Sequence, residues 1–117
     1  MTFLSLPYPP SINHYWGRNG TRNFLTDKAL AFRLEVLAAF NKTGPRKRIL
    51  LGPLTIAITL HPPDYRKRDI DNPIKGLLDS LQHARVFGDD SQIVRLEIDR
   101  LMPDPKNPRC IVRVELI

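Results

Sequence analysis

The sequence predicts an α+β fold: a mixed β-sheet of about four strands packed with two main helices, in one compact domain over residues 1–117. Two patterns and one kind of punctuation predict it. Short segments alternate apolar and polar side chains with the period of a strand, and two longer ones repeat apolar residues every three or four positions, the period of a helix. Eleven prolines and six glycines separate these segments. The resulting order, β-α-β-α-β-β, suits a layer of helices against a mixed sheet.

Residues 2–7 read as the first strand, stopped by the prolines of "PYPPS". A loop follows through "INHYWGRNGTRNF", rich in turn formers, aromatics and bases. The segment "TDKALAFRLEVLAAFNKTG" reads as a helix with Thr26 as N-cap, an apolar stripe of Leu30, Leu34, Val36 and Leu37, and Gly44-Pro45 as its stop. "RKR" at 46–48 occupies the next loop. "LTIAITLH" places Leu54, Ile56, Ile58 and Leu60 on one strand face, and Pro62-Pro63 closes it. A second helix runs from about Pro73 to Ala84, with Ile74, Leu77, Leu78 and Leu81 at helical spacing. Pro73 suits a first helical position, and Asp71 and Asn72 stand where a side chain can cap free N–H groups. A "VFGDD" turn leads to a strand from about Gln92 to Leu101. "MPDPKNP" then turns into "RCIVRVELI", whose Cys110, Val112, Val114 and Leu116 share a face.

Composition narrows the partners. An apolar fraction of 42% is too high for a disordered chain. A net charge of +6 favours polyanions, either nucleic acid or a membrane surface. No apolar run approaches the roughly 20 residues that span a bilayer, and "MTFLSLPYPP" lacks the pattern of a signal peptide. Neither helix pairs a lysine-rich face with a broad apolar one, which disfavours membrane binding. Cys110 stands alone, so no internal disulfide forms, and a reducing cytoplasm suits the chain. His14, His61 and His83 are scattered, without zinc-type spacing. A soluble cytoplasmic domain that binds nucleic acid, with no small-molecule cofactor, is expected.

The stretch "RKRDIDNPIKGLLDS" at 66–80 carries the chemistry. Asp69 and Asp71 follow directly on Arg66, Lys67 and Arg68, and Lys75 stands four positions beyond Asp71. Two carboxylates roughly 6–7 Å apart along an extended chain repel unless something cationic joins them. Short Asp side chains without soft ligands suit a hard cation such as Mg²⁺. Asp71, Lys75 and Asp79 recur every four residues and share one helical strip. A second acidic pair, Asp89-Asp90, falls in the following turn. The helix between the pairs is roughly 18 Å long, so they meet only if strand 92–101 returns beside strand 54–61. A metal held there can activate water and stabilise charge developing at phosphorus, with Lys75 on the scissile phosphate or incoming hydroxide. The same residues also read as a helix cap at Asp71, a surface Lys75–Asp79 pair and an ordinary Asp89-Asp90 turn. Both readings stand on the residues alone.

Further bases fit a phosphate backbone. In "HYWGRNGTR", Arg18 and Arg22 are read as backbone contacts, while Trp16 reads as a ring pinning its loop to the core. Arg46, Lys47 and Arg48, like Arg66, Lys67 and Arg68, are candidate phosphate contacts.

The run "RKRDIDNPIKGLLDSLQHARVFGDDSQI" resembles the RusA family of Holliday-junction resolvases of bacteria and prophages. The shared pattern is a basic run, Asp-x-Asp-Asn, a lysine four beyond the second acid, and an Asp-Asp turn. It falls on Arg68, Asp69, Asp71, Asn72, Lys75, Asp79 and Asp90. "LPYPPSINHYW" is similar to the family's Pro-Pro-Ser-x-Asn opening, so the likeness spans nearly the whole chain. Pro73 after the Asn departs from the pattern. Gly76 does too, at about 1 kcal/mol of helix propensity. The resemblance implies a homodimeric, Mg²⁺-dependent endonuclease that cuts four-way DNA junctions on opposing strands in recombination and repair. It implies Asp69, Asp71 and Asp90 as metal-holding catalytic acids and Lys75 as catalytic lysine, with Asp89 the lesser of its pair. A two-fold dimer also matches a substrate with near two-fold symmetry that must be cut twice. A less selective nuclease acting on flaps or forks, and a non-catalytic basic DNA-binding module, are the rival functions.

Overall fold

Strand β1 (Thr2–Pro7) pairs antiparallel with β6 (Arg109–Leu116), β6 antiparallel with β4 (Leu54–His61), and β4 parallel with β5 (Ile93–Arg100). The sheet order is therefore β1-β6-β4-β5, a mixed sheet of four strands as the sequence predicts. This computed structural model describes residues 1–44 and 49–117, so Arg46, Lys47 and Arg48 lie outside the described residues.

Period-two patterning decides which face of the sheet is covered. Leu4 and Leu6 of β1, Leu54, Ile56, Ile58 and Leu60 of β4, and Cys110, Val112 and Val114 of β6 are all buried in one cluster. Helices α2 (Asp27–Lys42) and α3 (Ile74–His83) complete that cluster with Phe32, Val36, Phe40, Ile74, Leu77 and Leu81. Intervening strand positions such as Phe3, Ser5 and Arg113 are exposed. Each large side chain so buried contributes about 1.5–3 kcal/mol of transfer free energy.

Thr26 caps α2 as its sequence predicts, accepting from the Ala29 amide at 3.1 Å. The buried stripe of α2 differs from the expected one. Ala29, Phe32, Val36 and Phe40 face the sheet, whereas Leu34 is 68% exposed and Leu30 and Leu37 are also exposed. Two apolar stripes compete on this helix, and the one carrying two phenyl rings buries the larger area.

The segment expected to be an irregular loop holds regular structure. A single helical turn, α1 (Ile12–Tyr15), runs straight into a hairpin of β2 (Trp16–Asn19) and β3 (Arg22–Leu25). Asn19 pairs with Arg22 across a two-residue turn. Gly20, first of the two turn residues, has φ 64°, the left-handed value a type II′ turn requires there.

A parallel pair cannot be joined by a tight turn, and α3 makes the connection between β4 and β5. It carries the chain back along the sheet from the end of β4 to the start of β5. Two ends of the sheet follow. His61, Arg100, Arg109 and Pro7 mark one, and Leu54, Ile93, Leu116 and Thr2 mark the other.

Candidate nucleic-acid interface and acidic site

Beyond His61 the chain turns away at Pro62-Pro63 into a cross-braced loop. Asp64 organises it: its carboxylate accepts from the Arg66 amide at 2.9 Å and pairs with Arg68 at 2.7 Å. Arg68 also donates to the Asp64 and Arg66 carbonyls, and Arg100 at the end of β5 donates to the Arg68 carbonyl at 2.6 Å. Two of the cations thus hold the loop in shape, while Arg66 and Lys67 are left exposed to solvent. The Arg66 amide, with Arg68 behind it, holds the Asp64 carboxyl below the usual carboxylate range.

Asp69 and Asp71 come next, both exposed. Their main chains make the turn into α3, with the Asn72 amide donating to the Asp69 carbonyl at 3.3 Å and the Ile74 amide to the Asp71 carbonyl at 3.0 Å. The N-cap of α3 is Pro73, with no side-chain cap hydrogen bond, so Asp71 does not serve as a cap. The Ile12 amide donates to the Asn72 carbonyl at 3.0 Å and ties this turn to α1.

Lys75, on the first turn of α3, is exposed, and its Nζ stands 5.6 Å from the centroid of the Trp16 ring. That separation is within cation–π range. Trp16 packs partly buried against the core and edge-on to Tyr15, at 4.3 Å between centroids, as its reading as a pinning ring predicts. The Lys75–Asp79 surface pair does not form among the described ion pairs. Asp79 instead binds Arg33 at 2.6 Å and the Tyr15 hydroxyl at 2.5 Å. Arg33 had no signal in the sequence; its partner lies 46 residues away.

Asp90 sits at the other end of α3. Its amide donates to Gln82 Oε1 at 3.0 Å. Asp89 caps the short 3₁₀ turn Asp90–Gln92, accepting from the Ser91 amide at 3.0 Å, in a capping box with Gln92. The Gln92 side chain also reaches the Leu50 and Gly52 carbonyls, fixing this turn to the start of β4. Asp89 is therefore structural, whereas Asp90 keeps an exposed carboxylate.

The sequence lets Asp90 meet Asp69 and Asp71 only if strand 92–101 returns beside strand 54–61, and that return does not bring the three together within one chain. Strand β5 does return beside β4, but in parallel, so the acids after β4 and the acid before β5 stand at opposite ends of two eight-residue strands, on the order of 20 Å apart. Among the described residues, no three His, Cys, Asp or Glu side chains form a group that could hold a metal ion. Among those residues the three carboxylates also enter none of the ion pairs, all of which use other acids.

Bases surround the Asp69 end. Arg18 and Arg22 stand exposed on the β2–β3 hairpin, with Arg18 Nε donating to the Gly20 carbonyl at 3.1 Å. Trp16, at the base of that hairpin, meets Lys75, so hairpin and acidic turn are neighbours. Among the described residues, no helix is long and apolar enough to cross a membrane.

An α+β domain with exposed, uncommitted carboxylates among arginines and lysines has the surface of a protein that handles a polyanion near acidic groups. Comparison with known sequences makes this specific. The family model described as Endodeoxyribonuclease RusA matches residues 7–115. A crossover junction endodeoxyribonuclease of Enterobacteria phage HK97 is 39% identical over 103 residues, covering 81% of this chain and 78% of that protein. Proteins of the same printed name from Escherichia coli strain K12 and Enterobacteria phage 82 are each 36% identical over 106 residues, covering 91% of this chain and 87% of theirs. The chain belongs to the RusA family of endodeoxyribonucleases.

Proposed function

We propose that the protein is a Mg²⁺-dependent endonuclease that resolves four-way DNA junctions by paired phosphodiester hydrolysis on opposing strands. It acts as a homodimer in the cytoplasm of a bacterium, in recombination and repair of chromosomal or prophage DNA. The observation that carries the reading is the family match over residues 7–115, with relatives named as crossover junction endodeoxyribonucleases. Among the described residues the Asp69, Asp71 and Asp90 carboxylates enter no ion pair, which supports it. Acids kept only for capping would be engaged as Asp89 is.

Geometry supports a dimer on separate grounds. Among the described residues, strand β5 is a sheet edge with β4 on one side only, and Val94 and Leu96 along it are exposed. Such an edge offers a row of unpaired backbone groups to a second chain. Antiparallel pairing of β5 with its own copy sets the Asp90 end of one subunit against the Asp69–Asp71 end of the other, and does so twice. Each site then draws two acids from one subunit and one from the next, and two sites suit two cuts.

Mg²⁺ is held by one or two carboxylates together with water and phosphate oxygens, a demand that fits this donor set. When bound, it makes hydroxide available near neutral pH and offsets charge on the phosphate. Lys75 brings a compact cation to the scissile phosphate, oriented from behind by the Trp16 ring. Arg18, Arg22, Arg66 and Lys67, with Arg46, Lys47 and Arg48, neutralise flanking phosphates, so binding weakens steeply with salt.

The test is cleavage of a synthetic four-way junction. Paired nicks with Mg²⁺ and none with EDTA are expected, and Asp71→Asn should bind the junction without cutting it. Equal cutting of flaps or linear duplex would replace the reading with a less selective nuclease. Binding without cleavage of any branched substrate would replace it with a DNA-binding module.

A further inference from the structure

We propose that the cavity at the end of β5, floored by Tyr65 and Met102, binds an unstacked nucleobase of the DNA next to the Asp69–Asp71 turn. The inference rests on the nucleic-acid reading above and adds a specificity-determining residue, Tyr65, to it.

The cavity measures about 740 Å³, ample for a base with its sugar, and its walls include His61, Tyr65, Arg66, Arg100, Leu101 and Met102. Its floor is unusual for a surface. Tyr65 is 78% exposed and Met102 69% exposed, and the Tyr65 hydroxyl points at the Met102 sulfur, 3.8 Å away. A large ring left in water on a floppy loop would be unremarkable, but this loop is braced by Asp64, Arg68 and Arg100. The ring is therefore presented on a built platform. Apolar faces for stacking, rimmed by cations for the backbone, are the means by which proteins hold single-stranded nucleic acid.

Charge selects the occupant. Four arginine and lysine residues line the cavity against one acid, Asp64, which is already paired with Arg68. The surplus is positive, complementing the phosphates of a nucleic-acid strand. Position selects the role. The neighbouring cavity that contains Asp69 shares Arg66, Lys67 and Arg68 as walls with this one. A base stacked on Tyr65 therefore leads its own strand toward Asp69. A base pair at a branch point lacks the continuous stacking of duplex and costs less to open, so the pocket favours branched over continuous DNA.

The experiment places the fluorescent base 2-aminopurine at the exchange-point nucleotide of a four-way junction, in a short single strand, and within a plain duplex. Wild-type protein should change the emission of the first two. Tyr65→Ala should abolish that change and weaken single-strand and junction binding roughly 5- to 150-fold, the range for one base–aromatic stack. Tyr65→Phe, which keeps the ring, should behave as wild type, and duplex binding should be indifferent to both. Unchanged emission and affinity with Tyr65→Ala overturn the proposal. So does an equal loss on duplex, or a shift in the oligomeric size of Tyr65→Ala on gel filtration, which would assign this face to a subunit contact. Because binding is read without cleavage, the two readings fail separately. A protein that cuts junctions with Tyr65→Ala behaving normally loses only the pocket. One that never cuts but shows Tyr65-dependent emission loses only the nuclease.

Discussion

The ring of Tyr15 fills the space that a side chain on Gly76 would need: a Cβ built there lies 2.7 Å from Tyr15 Cδ2 and 2.9 Å from Cγ. Tyr15 is fully buried, and its hydroxyl meets Asp79 and Ser80 of α3 while accepting from Arg33 Nε of α2 at 3.0 Å. Three helices are thus pinned at one phenol. Gly76 and Tyr15 are sequence neighbours of Lys75 and Trp16, so the contact that sets the register of α3 also sets the lysine against the indole.

Gly76→Ala should therefore destabilise the protein, against its helix propensity. Alanine gains about 1 kcal/mol over glycine in a helix. Overpacking a well-filled site costs about 1–3 kcal/mol, and a ring whose hydroxyl is held by three polar partners has little room to yield. A lowered midpoint in urea, with an unchanged slope, is the expected result. A raised midpoint would mean that Tyr15 does not pack as described.

Tyr15→Phe keeps the ring but strands part of the polar network, at an expected cost of about 1–3 kcal/mol. Arg33 and Asp79 keep each other at 2.6 Å, which limits the loss. Burial, then the Asp79 contact, raises the Tyr15 hydroxyl above the usual phenol value. A group that holds its proton more tightly when folded contributes stability that is complete below the unfolded value, about 10, and lost as pH rises through the folded one. Wild-type stability should fall above about pH 10, and in Tyr15→Phe that fall should be shallower. Melting curves from pH 8 to 11 read both.

Lys75→Met should abolish junction cleavage while leaving junction binding nearly intact, because it removes one charge among many on the binding face. Trp16→Leu should leave Lys75 charged but less well placed. Loss of a cation–π contact of about 0.5–1 kcal/mol predicts a cleavage rate reduced roughly 2- to 5-fold. Single-turnover cleavage at saturating protein separates these effects from weaker binding.

Cys110 lies fully buried in β6, and burial pushes its thiol up to about 12. At pH 8 almost none of it is thiolate, the reactive form. A disulfide reagent should label the native protein only as fast as it unfolds, and label it at once in denaturant. Rapid native labelling would contradict the placement of this residue in the core.

How much of this the sequence disclosed depends on the reach of each interaction. β4 and β6 were legible because burial of Ile56, Ile58, Val112 and Val114 imposes a local period of two that any window displays. The α2 face was not, because Leu30 and Leu34 compete with Phe32 and Phe40, and only the tertiary partner decides between them. The hairpin hid in two four-residue strands, although Gly20-Thr21 is the Gly-X pair of a type II′ turn. Gly76 looked like a weakness in α3, since the reason for it lies 61 positions away at Tyr15. The acids were recognisable as a pattern, but their placement was not. Parallel pairing of β4 and β5, which sets Asp90 apart from Asp69 and Asp71, is a property of topology rather than of spacing.

That separation yields the sharpest prediction. Asp71→Asn and Asp90→Asn proteins should each fail to cut a junction, yet mixing them under conditions of subunit exchange should restore nicking. If each site takes Asp69 and Asp71 from one subunit and Asp90 from the other, a mixed dimer places both substitutions in one site and leaves the second wholly native. One competent site cuts one strand, so the product should be a singly nicked junction rather than two resolved duplexes. At most half of the dimers in an equal mixture are mixed, so the initial nicking rate should reach roughly a quarter of the wild-type nicking rate. If each subunit instead carried a complete site, both sites of every mixed dimer would be broken and no activity would return. Gel analysis of a junction labelled on all four strands distinguishes nicked from resolved products and decides between a shared site and a self-contained one.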